Sequence, residues 1–340
     1  MKQLRFGIIG IGNIAPVHAK AIKSIPDAEL VAVAECDSER AQKFVAEHGC
    51  GCHEDYRELI ARPDIDVVTI CTPHHLHAPM TIQAAQAGKH VLCEKPMAKN
   101  VAECDAMIKA CAQAGVTLGI VSQSRFEKLS RLTKALVDEG KLGRLLWSSS
   151  STTWFRSKEY YGNSSWRGTW AHEGGGVLIN QAIHVIDAML WIGGMPKRIA
   201  AQTRTLNHPI EVEDVAVATL EFADGHIGLI QATTNAYPGY PEKLEFFGTN
   251  GSAVYHKGEA RLEWHLMEPR EDGQDQDQVS SGAAAPMDIN ASGHIAQFNE
   301  YADAIRNHRA PFVGGRDGRN SIAVIEAIYR SAREHAPVEL

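Results

Sequence analysis

The chain has 340 residues, about twice a common domain length, so two domains are expected. Apolar residues make up 44% and charged residues 22%, enough for a core that needs no disulfide or metal staple. With 41 acidic against 34 basic residues the net charge is −7, which argues against non-specific binding to nucleic acid or to an anionic membrane.

The first half alternates short apolar runs with helical patterns. Residues 4–9, 30–34, 67–71, 90–93 and 117–121 are rich in Val, Ile and Leu, as expected of strands buried on both faces of a parallel sheet. Between them, residues 17–24, 38–48, 78–87 and 101–114 carry helical spacing, and Asn100 with Glu103 reads as an N-cap and its capping-box partner. This alternation predicts βαβ units in a doubly wound sheet over residues 1–122.

After residue 122 the rhythm changes. A helix is expected over 129–138, closed by Gly140 and Gly143, and strands over 145–155, 199–205, 215–222, 227–234, 244–247 and 260–264. One helix, 177–191, announced by Gly174–Gly176, interrupts them. Residues 123–340 therefore read as an α+β domain on a large, mainly antiparallel open sheet. Residues 268–292 are polar and biased and read as a loop; helices over 295–307 and 319–334 close the chain, where they can pack back on the first domain.

All seven cysteines lie between Cys36 and Cys111, an odd and clustered set. That pattern predicts reduced, mostly buried thiols in a cytoplasmic enzyme. No apolar run reaches the roughly 18 residues of a membrane span. The opening MKQLRFGIIGIGNIA imitates a secretory signal, but its glycines are better explained by a dinucleotide-binding turn.

Gly10, Gly12 and Ala15 form G-x-G-x-x-A between the first strand and the first helix. The first glycine allows the tight turn, the second admits a pyrophosphate, and the third small residue packs helix on sheet. The pyrophosphate is expected over Gly12, Asn13 and Ile14, against the helix start. Glu35 ends the second strand about 20 residues on, where a carboxylate accepts from ribose hydroxyls and repels a 2′-phosphate. NAD is therefore expected; Arg40, shortly after that strand, keeps NADP open. His90–Met97 reads HVLCEKPM and places Glu94 and Lys95 at the carboxyl edge of the sheet, where ligands of open α/β sheets bind.

Here the resemblance becomes specific. AGKHVLCEKP, preceded by VVTICTPHHLH and followed by Gln123-Ser124-Arg125-Phe126, GGGVLINQAIHVID and AIYRSAREHAPVEL, resembles the glucose–fructose oxidoreductase, inositol dehydrogenase and rhizopine-catabolism (Gfo/Idh/MocA) family. INQAIH, EYYGNSSWRGTW and IEVED look closer to members acting on nucleotide-linked aminosugar uronates. The resemblance implies a Rossmann domain, a second domain whose open sheet often makes a homo-oligomer (dimer or tetramer), and hydride exchange with a sugar, sugar acid or cyclitol. It implies that Lys95 touches the reacting hydroxyl and that His184 is the acid/base. Thr72, Pro73, Glu94, Gln123, Trp166 and Arg167 are expected on the cofactor side, and His77 there or in a structural role.

Spacing agrees chemically. Asn180 and His184 are four apart and share a helix face, with Asp187 three residues further, able to orient the imidazole. Many members carry aspartate where this chain has Asn180; an amide is no base, so Asn180 is expected to orient a hydroxyl. Trp154, Tyr160 and Tyr161 offer rings to a sugar, and Arg167 a cation to a carboxylate or phosphate. Ordinary packing is the competing reading for these rings. His48, Cys50, Cys52 and His53 crowd one loop and lack the paired spacing of a zinc site; they, and His74, His75 and His77, are not read as metal ligands. Two other functions share the scaffold: glycoside cleavage through transient C3 oxidation, and cofactor sensing without catalysis. The second has no need of both Lys95 and His184.

Overall fold

The computed structural model describes residues 3–267, 272–276 and 291–340. The chain divides into two units, Met1–Gln123 with Ala291–Arg319, and Ser124–Asn290 with Asn320–Leu340.

The first unit is a six-stranded, all-parallel sheet. Its elements run β1 (Leu4–Ile9), α1 (Ala15–Lys23), β2 (Ala28–Ala34), α2 (Ser38–His48), β3 (Gly51–His53), α3 (Tyr56–Ala61), β4 (Val67–Ile70), α4 (His77–Gln86), β5 (His90–Cys93), α5 (Val101–Ala114) and β6 (Leu118–Ile120). The spatial order is β3-β2-β1-β4-β5-β6, so the winding reverses between β1 and β4. Ligands of such sheets bind outside the strand ends at this reversal. The apolar strands are buried as their composition predicts: Phe6, Ile8, Val33, Val67, Val68, Ile70, Val91 and Leu92 lose nearly all exposure.

Two elements escaped the periodicity. Gly51–His53 is the edge strand of the sheet, not part of a loop, and Tyr56–Ala61 is a six-residue helix. Three residues are too few for an alternating pattern, and two turns too few for a helical one. At α5 the Asn100 cap forms: its side chain accepts from the Glu103 N–H at 2.9 Å. The Glu103 carboxylate accepts from Lys99 N–H, at 3.2 Å, one residue before the usual capping-box donor.

Helix Ser292–Arg306 returns to this unit and packs along α1, with the Phe298 ring edge-on to His18 at 4.8 Å. Tyr301, from the same helix, is 1% exposed and its hydroxyl lies 2.7 Å from the Val91 carbonyl and 2.9 Å from that of Thr117. A segment distant in sequence thus completes the core under β5 and β6.

The second unit is a nine-stranded sheet. Its elements run α6 (Lys128–Asp138), β7 (Leu145–Thr153), α7 (Lys158–Gly162), a π-wound stretch Leu178–Ala182 continuing into α8 (Ile183–Gly193), β8 (Pro196–Arg204), β9 (Val215–Phe222), β10 (Ile227–Thr233), β11 (Lys243–Gly248), β12 (Gly251–His256), β13 (Arg261–Leu266), β14 (Asp272–Gln276) and β15 (Val338–Glu339). Strand order is β14-β13-β12-β11-β7-β10-β9-β8-β15, antiparallel throughout except where β7 runs parallel to β10. Along β9 buried positions alternate with open ones, the signature of a sheet covered on one face. α8 supplies that cover over β7 and β11.

Gly251–His256 was not expected as a strand; only Ala253 and Tyr255 of it turn inward, and its first residues, Gly and Ser, carry no apolar signal. Of the loop expected over 268–292, residues 272–276 form β14 against β13, and the rest up to 290 lies outside the described residues. Among the described residues no helix is long and apolar enough to cross a membrane. All seven cysteines are free thiols, Cys36 and Cys52 exposed and the other five buried.

Removing only the Tyr301 hydroxyl tests the return of the distant helix. Tyr301→Phe is expected to lose about 1 kcal/mol of stability, read as a lower urea midpoint at unchanged slope. An unchanged midpoint would show that the hydroxyl contributes nothing.

Candidate active site

Parallel strands end on one edge, and the first unit gathers its chemistry there. Gly10 follows β1 with φ +86°, a region that disfavours any Cβ, and a Cβ there would meet Thr72 Cγ2 at 2.8 Å. At Gly12 a Cβ would meet only the Cys71 carbonyl, at 3.8 Å, and Gly12 and Asn13 are exposed. The turn therefore packs tightly on one side and is open on the other, which is the shape a pyrophosphate cradle needs. Half-buried Ile14 leads into α1, whose second residue is Pro16.

Glu35, just beyond β2, is buried, and its two oxygens accept from Ile11 N–H at 2.8 Å and Asp37 N–H at 3.0 Å. The carboxylate thus ties the glycine turn to the end of the second strand. Oε1 also accepts from the Cys36 thiol at 3.5 Å, whereas Oε2 keeps a lone pair for a ribose hydroxyl. Arg40 is exposed and lies 3.6 Å from Glu35 and 3.3 Å from Asp37. Its guanidinium is committed to carboxylates, which counts against a 2′-phosphate there.

Past β5, Glu94 is buried and Lys95 half-buried. Glu94 Oε1 accepts from His18 Nε2 at 2.8 Å and Oε2 from the Lys95 N–H at 3.0 Å. Burial would push the Glu94 carboxyl up; the His18 hydrogen bond and the nearby His18, His294 and Lys95 charges bring it down to about 2. His18 Nδ1 lies 3.2 Å from Cys71 Sγ, whose thiol burial holds protonated. His18 and His294 belong to this group, with ligating atoms within 4.8 Å of Glu94's; neither carried a signal in the sequence, because each is one histidine in an amphipathic helix. Thr72 and Pro73 follow β4, His77 opens α4, and Gln123 follows β6.

The second unit builds a separate cluster on the segment before α8. Glu213 is 3% exposed; its oxygens accept from Leu178 N–H at 2.9 Å, Tyr329 Oη–H at 3.0 Å and Gly176 N–H at 2.9 Å. A Cβ on Gly176 would overlap the Glu213 carbonyl, which is why the triplet ends in glycine. Glu173 is equally buried and accepts from Gly168 N–H and from Asn180 Nδ2. The Asn180 contact explains the amide: an aspartate would set a second carboxylate against a buried one.

Asn180 sits in the π-wound stretch and His184 at the start of α8, both half-buried. Such wide turns recur at functional sites. Asp187, expected to orient His184, is held bidentately by Arg125, at 2.7 and 2.8 Å, with Ser321 Oγ at 3.1 Å. Arg125 belongs to the QSRF motif, so that motif anchors α8 from beneath.

The aromatic residues are already stacked. Arg156 lies over Trp154 at 4.7 Å and over Tyr160 at 5.3 Å; Arg167 lies over Tyr160 at 4.5 Å and Trp166 at 4.8 Å. Trp154 is 9% exposed, so it packs; Tyr161 is buried against Thr234. Gln181 Nε2 donates to the Tyr160 hydroxyl at 3.3 Å, joining this group to the Asn180 stretch. Arg156 was missed by sequence reasoning, since nothing in a lone arginine after a strand marks it.

Glu213 gives a measurable consequence. Burial raises its carboxyl from the ordinary 4.5 to about 7, although the N–H groups and the Tyr329 hydroxyl pull it down. Between these values the folded chain keeps a proton the unfolded chain has lost, so stability falls as pH rises through the window. Relative to Glu213→Gln, which cannot titrate, wild type should lose on the order of 3 kcal/mol from pH 4.5 to 7 in urea titrations. Parallel curves for the two proteins would refute it.

The sequence matches the model described as oxidoreductase family, NAD-binding Rossmann fold (GFO_IDH_MocA) over residues 4–122, and the GFO/IDH/MocA C-terminal domain over 130–254. It is 27% identical to myo-inositol 2-dehydrogenase of Thermotoga maritima, across 99% of this chain and 98% of that one. Levoglucosan dehydrogenase of Pseudarthrobacter phenanthrenivorans is 31% identical over 75% of this chain and 74% of its own. Among solved structures, the WlbA dehydrogenase of Bordetella pertussis in complex with NADH and UDP-GlcNAcA superposes with a TM-score of 0.87 at 31% identity, covering 100% of this chain and 99% of that one.

Proposed function

The chain belongs to the GFO/IDH/MocA oxidoreductase family, and from that premise we propose that it interconverts a secondary alcohol of a sugar or polyol and its ketone, with NAD. The observation that carries the reading is the edge of the parallel sheet: an open glycine turn, a ribose-side carboxylate and Lys95, each held by backbone hydrogen bonds. These residues fit NAD. Gly12, Asn13 and Ile14 would hold the pyrophosphate, Glu35 the ribose, and Thr72, Pro73, Glu94, Lys95, Gln123, Trp166 and Arg167 the remainder. His77, expected there from the sequence, is wholly buried with both ring nitrogens on carbonyl oxygens and supports the site from behind. Bound NAD supplies the hydride acceptor that no side chain can provide.

In oxidation the alcohol loses its O–H proton to His184 and its C–H hydride to the cofactor, leaving a carbonyl. Lys95 donates a hydrogen bond to the oxygen as charge develops on it. Asn180, its amide fixed by Glu173, orients the hydroxyl. An imidazole is suited to take and return that proton near neutral pH.

For the substrate we favour a sugar acid, free or nucleotide-linked. Two guanidinium groups over one tyrosine ring suit an anionic substituent, and the WlbA relative was solved with UDP-GlcNAcA. The free thiols support a reducing, cytoplasmic setting. Val217 and Ile227, 46% and 51% exposed on the open sheet, support a homo-oligomer.

An NADH-forming assay over neutral sugars, cyclitols, sugar acids and nucleotide sugars tests the reading. Acids are expected to exceed their neutral counterparts, and Arg156→Ala to erase that preference. Lys95→Ala and His184→Ala should each lower turnover about 10²–10⁴-fold. Wild-type turnover in both variants, or no NADH from any alcohol in the panel, would overturn it. Glu35→Ala should narrow the preference for NAD over NADP; a wild-type enzyme preferring NADP would contradict the role given to Glu35.

A further inference from the structure

His77 opens α4 and is wholly buried. Its Nδ1 lies 2.7 Å from the Pro96 carbonyl oxygen and its Nε2 2.8 Å from that of Thr72. A carbonyl oxygen only accepts, so each contact is a hydrogen bond only when the facing nitrogen carries a proton. Neutral imidazole has one N–H and imidazolium has two. The ring can therefore hold one of these loops when neutral, and both only when charged.

The two loops are the ones that matter at this edge. Thr72 packs against the glycine turn, its Cγ2 being the atom a Cβ at Gly10 would strike. Pro96 follows Lys95 directly. We propose that His77 is a positioning residue: its second proton closes a brace between the loop after β4 and the loop after β5, and so sets the placement of Lys95. The consequence for turnover rests on the role given above to Lys95; the brace itself does not.

The groups facing the ring are Glu94 and Lys95 from the segment after β5, and His74, on the turn before α4, with ring centroids 5.8 Å apart. Burial lowers the pKa of His77; the Pro96 and Thr72 carbonyls and the Glu94 charge raise it, and Lys95 lowers it, with a net lowering. The brace thus closes on the acid side of the ordinary imidazole range, near 6.5. The fully buried ring gains its second proton only because two acceptors await it.

Nitrogen NMR of ring-labelled histidine in the cofactor-free protein reads this directly. The expected result is one protonated and one bare ring nitrogen at His77 near neutrality, converting in one step below pH 6.5 to two protonated nitrogens while the protein stays folded. A nitrogen that stays bare until the chain unfolds would overturn the proposal. His77→Gln adds a second reading, because an amide has a donor at one end and an acceptor at the other and does not titrate. Near neutrality turnover should stay close to wild type, because the amide holds one loop as the neutral ring does. Below the pH at which the wild-type ring gains its second proton it should fall about tenfold with KM for NAD unchanged, so the acid limb of the pH profile changes shape. An acid limb identical to wild type would overturn it. If the variant does not fold, the wild-type titration alone decides. If the ring titrates as expected while no alcohol yields NADH, the brace stands and the proposed activity fails.

Discussion

Loops at the carboxyl edge of a sheet and at the entrance to a helix leave backbone N–H groups that secondary structure does not satisfy, and in this protein buried carboxylates take them. Glu35 accepts from the glycine turn, Glu94 from Lys95, Glu173 from Gly168, Glu213 from Gly176 and Leu178, and Asp214 from Leu206, Asn207 and His208. An orphaned buried donor costs about 1–3 kcal/mol, so each carboxylate specifies one loop conformation as well as stabilising it. The residues assigned to chemistry are their neighbours, and they inherit that rigidity.

The same side chain is tuned oppositely in the two units. Glu94 is driven down to about 2 because His18, His294 and Lys95 surround it, whereas Glu213, as deeply buried but beside neutral donors, is raised to about 7. Burial disfavours the charge in both; only neighbouring positive charge reverses it. Glu94 therefore remains a carboxylate over the working pH range, fit to hold Lys95, and Glu213 titrates near neutrality. His77 follows the same logic from the other side, a fully buried ring whose environment offers two acceptors.

Much of this was legible in the amino-acid order. The fingerprint at Gly10, Gly12 and Ala15, the carboxylate at Glu35 and the EKP run at the end of β5 are local patterns, because a tight turn, a strand end and a cap each depend on a few consecutive residues. What was not legible was partnership. The Arg125 clasp on Asp187 has no signal in the spacing of Asp187 from His184; Trp154 reads as a ring for a sugar or as ordinary packing, and lies buried, stacked by the equally buried Arg156. Arg156 and His294 were passed over because a single arginine or histidine says nothing until another chain segment arrives beside it.

Sequence alone settled the doubly wound first unit and the mainly antiparallel second one, and favoured NAD with Arg40 leaving NADP open, since periodicity and turn chemistry are short-range and survive in one dimension. Tertiary structure alone decided which carboxylates are held charged, why residue 180 is an amide, and that His77 faces two carbonyls. Those facts are electrostatic and depend on orientations, and on distances of a few ångströms, between partners 5 residues apart at His77 and Thr72 and 76 apart at His18 and Glu94, which residue order does not give.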